Sequence, residues 1–459
     1  MKRNLIIALV LVTTVLSACK KYLDIKPYGK TIPKTAEEFV ALLHSMLNNI
    51  DYGGDNLILG SANSLLNLEC YADNLDASIT NYPAGNSLPI YVGANINNKQ
   101  KDYEDLYQRI RDCNIVINNL KTDNTELDKN VLGTAYAIRA VCYFQLMRQF
   151  CEPYNAQKGE QLGLPIVTDF DMEARPLRST LKQTMNFIER DFKKAVDFKV
   201  KEEVYRFTED VTQAHLARFY FWAKEWDKAT PIAEALLGKY PMQEGTAYTE
   251  MLQARNAKKG NVLMRSFLFS GTTDISYNSA MSIIKARPVS KGFIDLFVEK
   301  ERDVRFNLMM DKKRQHTKNL MANIRTDEMC LMLAESYAHQ GNSGKALDYL
   351  NLLRAKRITG YTPLTATTLP AVDNSALVQE DAMGKPLTPL MQAILNERRK
   401  EFYGEGDRWF ELKRNGSPTF WVAKDGLKYI TEPYLYTFPI PRTDVELIDG
   451  LVQNPGYTF

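Results

Sequence analysis

The pattern that most restricts this chain is a spacing of small, aromatic and turn residues that occurs twice. Leu216, Ala217, Tyr220, Ala229 and Pro241 stand at offsets 0, 1, 4, 13 and 25, and Leu333, Ala334, Tyr337 and Ala346 repeat the first four, with Gly341 at the intervening turn. Residues three or four apart share a helix face. Each set therefore predicts two antiparallel helices, with alanines where the backbones approach, a tyrosine filling the space between them and, in the first copy, a proline stopping the second helix. Ile138, Ala140 and Tyr143 mark a weaker third copy. Helical spacing also predicts helices over about 102–120, 130–150, 179–198, 208–223 and 227–238. An earlier helix should start after Thr35, which is placed to cap it, with Glu37 and Glu38 in the first turn and Phe39, Leu42, Leu43, Met46 and Leu47 on one face.

These offsets are those of the tetratricopeptide repeat. The two clear copies lie 117 residues apart, so they are not a tandem array and read as a stacking scaffold rather than a peptide groove. The expected fold is mainly all-α, built from tetratricopeptide-like helix pairs with long loops and a few short strands. Residues 51–100 are rich in Gly, Asn, Asp, Ser and Tyr and read as loops with short helical pieces. Val262–Phe269 has strand length, the polar stretch Ser270–Ser279 after it reads as loop, and 359–389 reads as a long surface excursion. A formal charge of +3 over 459 residues gives no general attraction to nucleic acid. A chain of this length buries enough surface to fold without a disulfide or metal staple. The four histidines, His44, His215, His316 and His339, are too far apart for a helix-borne metal pair, and neither a metal site nor a cofactor is expected.

The amino terminus reads as an address. Lys2 and Arg3 precede the 12-residue run Leu5–Leu16, interrupted only by Thr13 and Thr14. That is short of the ~20 residues that span a bilayer and matches a signal-peptide core. It ends in Leu16-Ser17-Ala18-Cys19, the lipobox arrangement, in which the Cys19 thiol takes a diacylglyceryl group and cleavage before it frees an amine for a further acyl chain. Several chains anchor where one is marginal. The expected organisation is a signal peptide over 1–18, a lipid-anchored tether over 19–34 and a folded part over 35–459, with an amino-terminal portion of about 35–240 and a carboxy-terminal portion of about 241–459. Five cysteines follow Cys19, an odd number, so at least one is unpaired. Cys113, Cys142 and Cys330 sit among apolar helical residues as small core groups.

Near the carboxy terminus, Leu390–Tyr403 reads as a helix, Gly404-Glu-Gly406 breaks it, and Asp407 caps a short second helix over Arg408–Arg414. Glu397 and Glu401, one turn apart among several basic residues, read as a structural ion-pair network rather than an acid–base pair. The block Asn396-Glu-Arg-Arg-Lys-Glu-Phe-Tyr-Gly-Glu-Gly-Asp-Arg-Trp-Phe-Glu-Leu-Lys-Arg414 closely resembles the hallmark of the SusD/RagB family of outer-membrane nutrient-capturing lipoproteins. Further resemblances follow in order: Cys19-Lys-Lys-Tyr-Leu-Asp-Ile-Lys-Pro27, Tyr103–Leu120, Ala137–Phe144 with Gly163–Val167, Pro288–Ser290 with Phe293–Phe297 and Asp303–Arg305, Phe438–Pro441, and Gln453–Tyr457.

The resemblance implies an α-rich fold, no catalysis, an outer-membrane location facing outside, and a partner, a SusC-like TonB-dependent transporter, over which such a protein sits as a lid. The implied ligand is an oligosaccharide, with peptide as the alternative. Neutral sugars need aromatic faces to stack on, with amides and carboxylates for their hydroxyls. Two polar stretches offer these: Tyr71, Asp73, Asn74, Tyr82, Tyr91 and Asn95, and Tyr277 and Asn278 preceded by Asp274. Family members tend to build their site from these regions, but their tryptophans have no counterpart there, since Trp222, Trp226, Trp409 and Trp421 fall in scaffold or carboxy-terminal segments. A tetratricopeptide scaffold lipoprotein without a nutrient ligand is the reading from another class. A glycosidase needs two convergent carboxylates, and the sequence singles out no such pair.

Overall fold

The computed structural model describes residues 33–51, 58–76, 90–121, 123–171, 173–254, 258–266, 275–424 and 427–458. Helices of eight or more residues are numbered here. The first, α1 (Ala36–Asp51), starts after Thr35, whose hydroxyl accepts from the Glu38 N–H at 3.4 Å while the Glu38 carboxylate accepts from the Thr35 N–H at 3.2 Å. Phe39, Leu43, Met46 and Leu47 are buried on its inner face. Then come α2 (Ala62–Tyr71), α3 (Lys99–Asn119), α4 (Glu126–Phe150), α5 (Leu181–Asp197), α6 (Glu209–Trp222), α7 (Trp226–Lys239) and α8 (Gly245–Gln253). They are followed by α9 (Ile275–Lys285), α10 (Thr326–His339), α11 (Ser343–Arg357), α12 (Pro389–Glu401) and α13 (Asp407–Arg414). Three antiparallel ribbons pair β1 (Leu162–Pro165) with β2 (Arg178–Thr180), β3 (Val262–Arg265) with β4 (Asn323–Arg325), and β5 (Phe420–Lys424) with β6 (Leu427–Thr431). No described helix is long and apolar enough to cross a membrane.

Two expectations are corrected. The polar stretch 270–279 is not all loop, because α9 begins at Ile275: Tyr277, Ala280 and Ile284 recur at helical spacing and are buried, with α9 packed on α2. The cap of α13 is Gly406, at φ 72, and Asp407 is instead its first residue, with its carboxylate accepting from Arg398 at 2.7 and 2.8 Å. The strand expected over 262–269 is seen as far as Arg265, and 267–274 lie outside the described residues.

Helices α3 to α7 pack each on the next, and α7 then packs on α10, which pairs with α11. The two repeat copies are therefore neighbours in space despite their distance in sequence. Ala217, Ala229, Ala334 and Ala346 are buried where the backbones approach. The rings of Tyr337 and Tyr349 stack at 5.8 Å, and both hydroxyls donate to Glu234 on α7, at 2.6 and 3.0 Å. One carboxylate thus ties the second copy to the first. The free thiols of Cys70, Cys113, Cys142, Cys151 and Cys330 are all buried.

A charge array pins the second copy to α12. Glu401 accepts from Arg325 at 2.7 Å, Arg357 at 3.0 Å, Arg305 at 3.2 Å and the Tyr248 hydroxyl at 3.1 Å. Glu397 pairs with Arg305 at 2.7 Å, Lys400 at 2.5 Å and Arg354. Asp303 closes on Arg305 and Asp327 on Arg325, each at 2.6 Å. Burial raises the carboxyl of Glu401, but Arg357, Arg325 and Arg305 overcome it and hold it well below the usual range. Arg414 and His339 similarly lower buried Glu335, and Lys400, Arg305 and Arg354 lower Glu397.

Three outcomes are expected. Ala217→Leu, which forces a larger side chain between close helices, should lower urea-unfolding stability by about 1–3 kcal/mol with little change in the slope. Glu401→Gln leaves three buried arginines short of a counter-charge and should destabilise by about 3–5 kcal/mol in the same measurement. In acid, the unfolded chain takes up protons near the ordinary glutamate value of 4.5 while these depressed carboxyls do not. Their stabilisation is complete above that pH and is lost below it, so thermal unfolding followed from about pH 5 downward should show a steep fall in midpoint.

Candidate functional site

The first nominated stretch ends in a clasp. Beyond α2 the chain bends over Ala72, Asp73 and Asn74, and Leu75 bridges Val289. Asp73 takes Arg408 on both oxygens, at 2.7 and 3.0 Å, and Arg399 at 3.0 Å. Burial opposes its ionisation, but the two guanidiniums hold its carboxyl well below the usual range. Asn74, fully buried, accepts from Arg399 at 2.8 Å and donates to Glu69 at 3.2 Å. Glu69 also accepts the N–H groups of Gly404 and Gly406, at 3.0 and 3.1 Å, and burial pushes its carboxyl up to about 7. Both glycines are left-handed, and a Cβ on Gly406 would come within 2.9 Å of Leu68. The Tyr71 ring packs edge-on against Trp409 at 5.5 Å. Tyr71, Asp73 and Asn74 therefore face the carboxy-terminal signature, not an open surface. Their composition resembled that of a sugar site because a clasp for arginines and a site for hydroxyls use the same groups.

The remaining nominees are dispersed. Tyr91 is half-exposed, with its hydroxyl donating to the Ile430 carbonyl at 2.8 Å and its ring 5.6 Å from Tyr429 on β6. Asn95 is half-buried at the end of the short helix Val92–Asn95. Tyr277 is buried and donates to Asn319 at 2.6 Å, while Asn278 beside it is exposed. Tyr82, Asp274 and the acylation candidate Cys19 lie outside the described residues. Tyr91, Asn95 and Asn278 retain surface, and Asp73 keeps a part of its own beside its arginines. The β5–β6 ribbon adds Trp421, 53% exposed, with the Lys428 ammonium 4.6 Å over its ring. The Asp425-Gly426 pair between two apolar runs was the sequence signal for this hairpin. Trp409 and Trp222 are buried, and Trp226 stacks on His339 at 4.5 Å.

A cleft of about 680 Å³ opens elsewhere, where the segment after α4, the α6–α7 turn, the 380–384 loop, the end of α13 and the 433–437 turn meet. The half-exposed rings of Tyr154 and Tyr434 contribute to its lining. Lys413 and Arg414 line it too, but both are committed: Lys413 donates to the carbonyls of Arg148 and Gln149 at 2.8 and 3.2 Å, and Arg414 grips Glu335 at 2.5 and 2.9 Å. Burial pushes the Lys413 ammonium down to about 7. Asp381 shapes the loop by accepting from the Met383 and Lys385 N–H groups. Sequence reading missed this cleft because six separated segments build it, Pro455 being the last, and one of them, within 359–389, reads as a surface excursion. Among the described residues no group of three or more His, Cys, Asp or Glu is arranged to hold a metal ion.

Comparison with known proteins supplies the context. A family model described as starch-binding, associating with the outer membrane, matches residues 21–221, and one described as the SusD family matches 271–457. Among solved structures, a SusD superfamily protein from Bacteroides thetaiotaomicron VPI-5482 is 20% identical, with a TM-score of 0.68 over 92% of this chain and 99% of that one. A putative sugar-binding protein from Bacteroides vulgatus ATCC 8482 is 21% identical, with a TM-score of 0.70 over 94% and 100%. A laminarin-binding SusD-like protein is 18% identical, with a TM-score of 0.60 over 92% and 99%. At such identities these structures speak for the fold alone. Comparison with curated proteins finds no match. With two family segments in sequence order and a mainly helical fold of paired repeats, the chain belongs to the SusD/RagB family of non-catalytic, outer-membrane nutrient-binding proteins.

Proposed function

We propose that this chain binds an oligosaccharide at the cell surface and passes it to a SusC-like TonB-dependent transporter, tethered by acyl chains on Cys19 after removal of residues 1–18. The observation that carries this reading is the match of residues 21–221 to a model described as starch-binding and associating with the outer membrane. That segment contains the whole first nominated stretch. The sugar-binding and laminarin-binding names of similar structures point the same way. The chemistry agrees: Tyr91 offers an aromatic face and Asn95 an amide for sugar hydroxyls.

The mature chain titrated against a panel of neutral oligosaccharides is expected to bind at least one saturably and release no shortened product. Tyr91→Ala should weaken that binding roughly tenfold, about 1.4 kcal/mol. Binding of peptides and of no glycan would replace the oligosaccharide with the peptide alternative, and a hydrolysis product would overturn the reading outright. Labelled fatty acid should enter the wild-type protein and not Cys19→Ala.

A further inference from the structure

We infer that the cleft between the α6–α7 turn and the 380–384 loop is a second binding site, shaped for an acidic saccharide that presents a carboxylate to Lys224 and hydroxyls to Glu380. Lys224 is the second residue beyond α6, with φ 61, and Gly341 is the second residue beyond α10, with φ 78. The two positions correspond, since 117 residues separate them as they separate every matched pair of the two copies. The left-handed region favours glycine, so the second copy carries the residue the turn prefers and the first carries a strained lysine.

The turn does not explain the lysine. Its N–H donates to the Phe221 carbonyl at 3.2 Å, a bond that glycine would make equally. Its ammonium makes no hydrogen bond or ion pair with any described residue, yet the side chain is half-buried against the cleft. Burial, with Arg414 close by, pushes it down to about 8. The nearby Asp381 carboxylate offsets this only in part, and a partly desolvated cation with no bonded partner is unfavourable and is relieved by an anion. The neighbouring cations cannot serve as readily, because Lys413 and Arg414 are already committed.

Glu380 supplies the second group. Its carboxylate has no hydrogen bond or ion pair among the described residues and lies against Gly416, where a Cβ would sit 2.6 Å from the carboxylate Oε1. An ionised carboxylate accepts from several hydroxyls. Tyr434 is fixed by edge contact with Tyr457 at 5.2 Å and by packing over Gly456, where a Cβ would come within 2.5 Å of its ring. Tyr154 adds another half-exposed face. A free cation, a free carboxylate and aromatic faces in a cleft of about 680 Å³ fit a short sugar chain bearing a uronate, and the volume lies within the range of small-molecule sites. The assignment borrows from the proposed function only that the ligand is a saccharide.

Calorimetric titration of the full mature chain with trigalacturonate, and with the same trisaccharide after its carboxyl groups are reduced to alcohols, tests it. The acid form should bind saturably and the reduced form roughly tenfold more weakly or less. Lys224→Gly should lose about tenfold in affinity for the acid form while melting no lower than wild type, since glycine relaxes the turn. Glu380→Gln should weaken binding of the acid form. Absent binding of trigalacturonate, or wild-type affinity in Lys224→Gly, overturns the assignment, as does binding of trialanine that depends on Lys224 with none of the uronate. Neutral glycan binding without uronate binding leaves the surface reading standing and removes this one; uronate binding lost in Lys224→Gly without any neutral glycan binding does the reverse.

Discussion

Glu401 stands where the structure holds itself together. Its carboxylate lies under three guanidiniums that arrive from the segment before α10, from α11 and from the 303–305 stretch, with a tyrosine hydroxyl from α8. Around it, Asp303, Asp327, Glu299, Glu397 and Glu405 face Arg305, Arg325, Arg354, Arg357, Lys318 and Lys400, so with Glu401 the array is neutral as a whole. Burying so many charges gains little net stability over apolar packing, because desolvation opposes attraction. What it gives is uniqueness: any misplaced element leaves a buried charge alone. The long insertion between the repeat copies is docked by this means, since Arg305 and Arg325 flank its end.

The same signature helix reaches in two directions. Its Glu397 and Glu401 face the repeat hairpins, while its Arg398 and Arg399 face α13 and the Asp73 clasp. The Gly404-Glu405-Gly406 turn makes this possible. Two left-handed glycines turn their N–H groups onto Glu69 and bring α13 back beneath α2. The motif that identifies the family is thus a fastening.

The repeat copies illustrate how far a pattern reads. Offsets of small residues and tyrosine predicted the hairpins α6–α7 and α10–α11, and helix ends fell within a few residues of the expected positions because caps, prolines and glycines are local signals. A stacking scaffold was legible, but not that these two hairpins pack directly on one another, since that depends on Glu234 meeting two tyrosine hydroxyls more than a hundred residues away. Helix α9 was missed for a related reason: its buried face of Tyr277, Ala280 and Ile284 is thin and set in a polar composition.

The sequence by itself determined the helical pairing, the ion-pair character of Glu397 and Glu401 and the family signature, because each is written in short-range spacing. Only the tertiary structure decided that Tyr71, Asp73 and Asn74 turn inward while Tyr91 keeps a surface, and that Lys224 and Glu380 share one cleft. Exposure and juxtaposition depend on partners distant in the chain. Asp73 is claimed by arginines more than 300 residues away, and no local pattern encodes which polar loop will find such a partner and which will be left to meet a ligand.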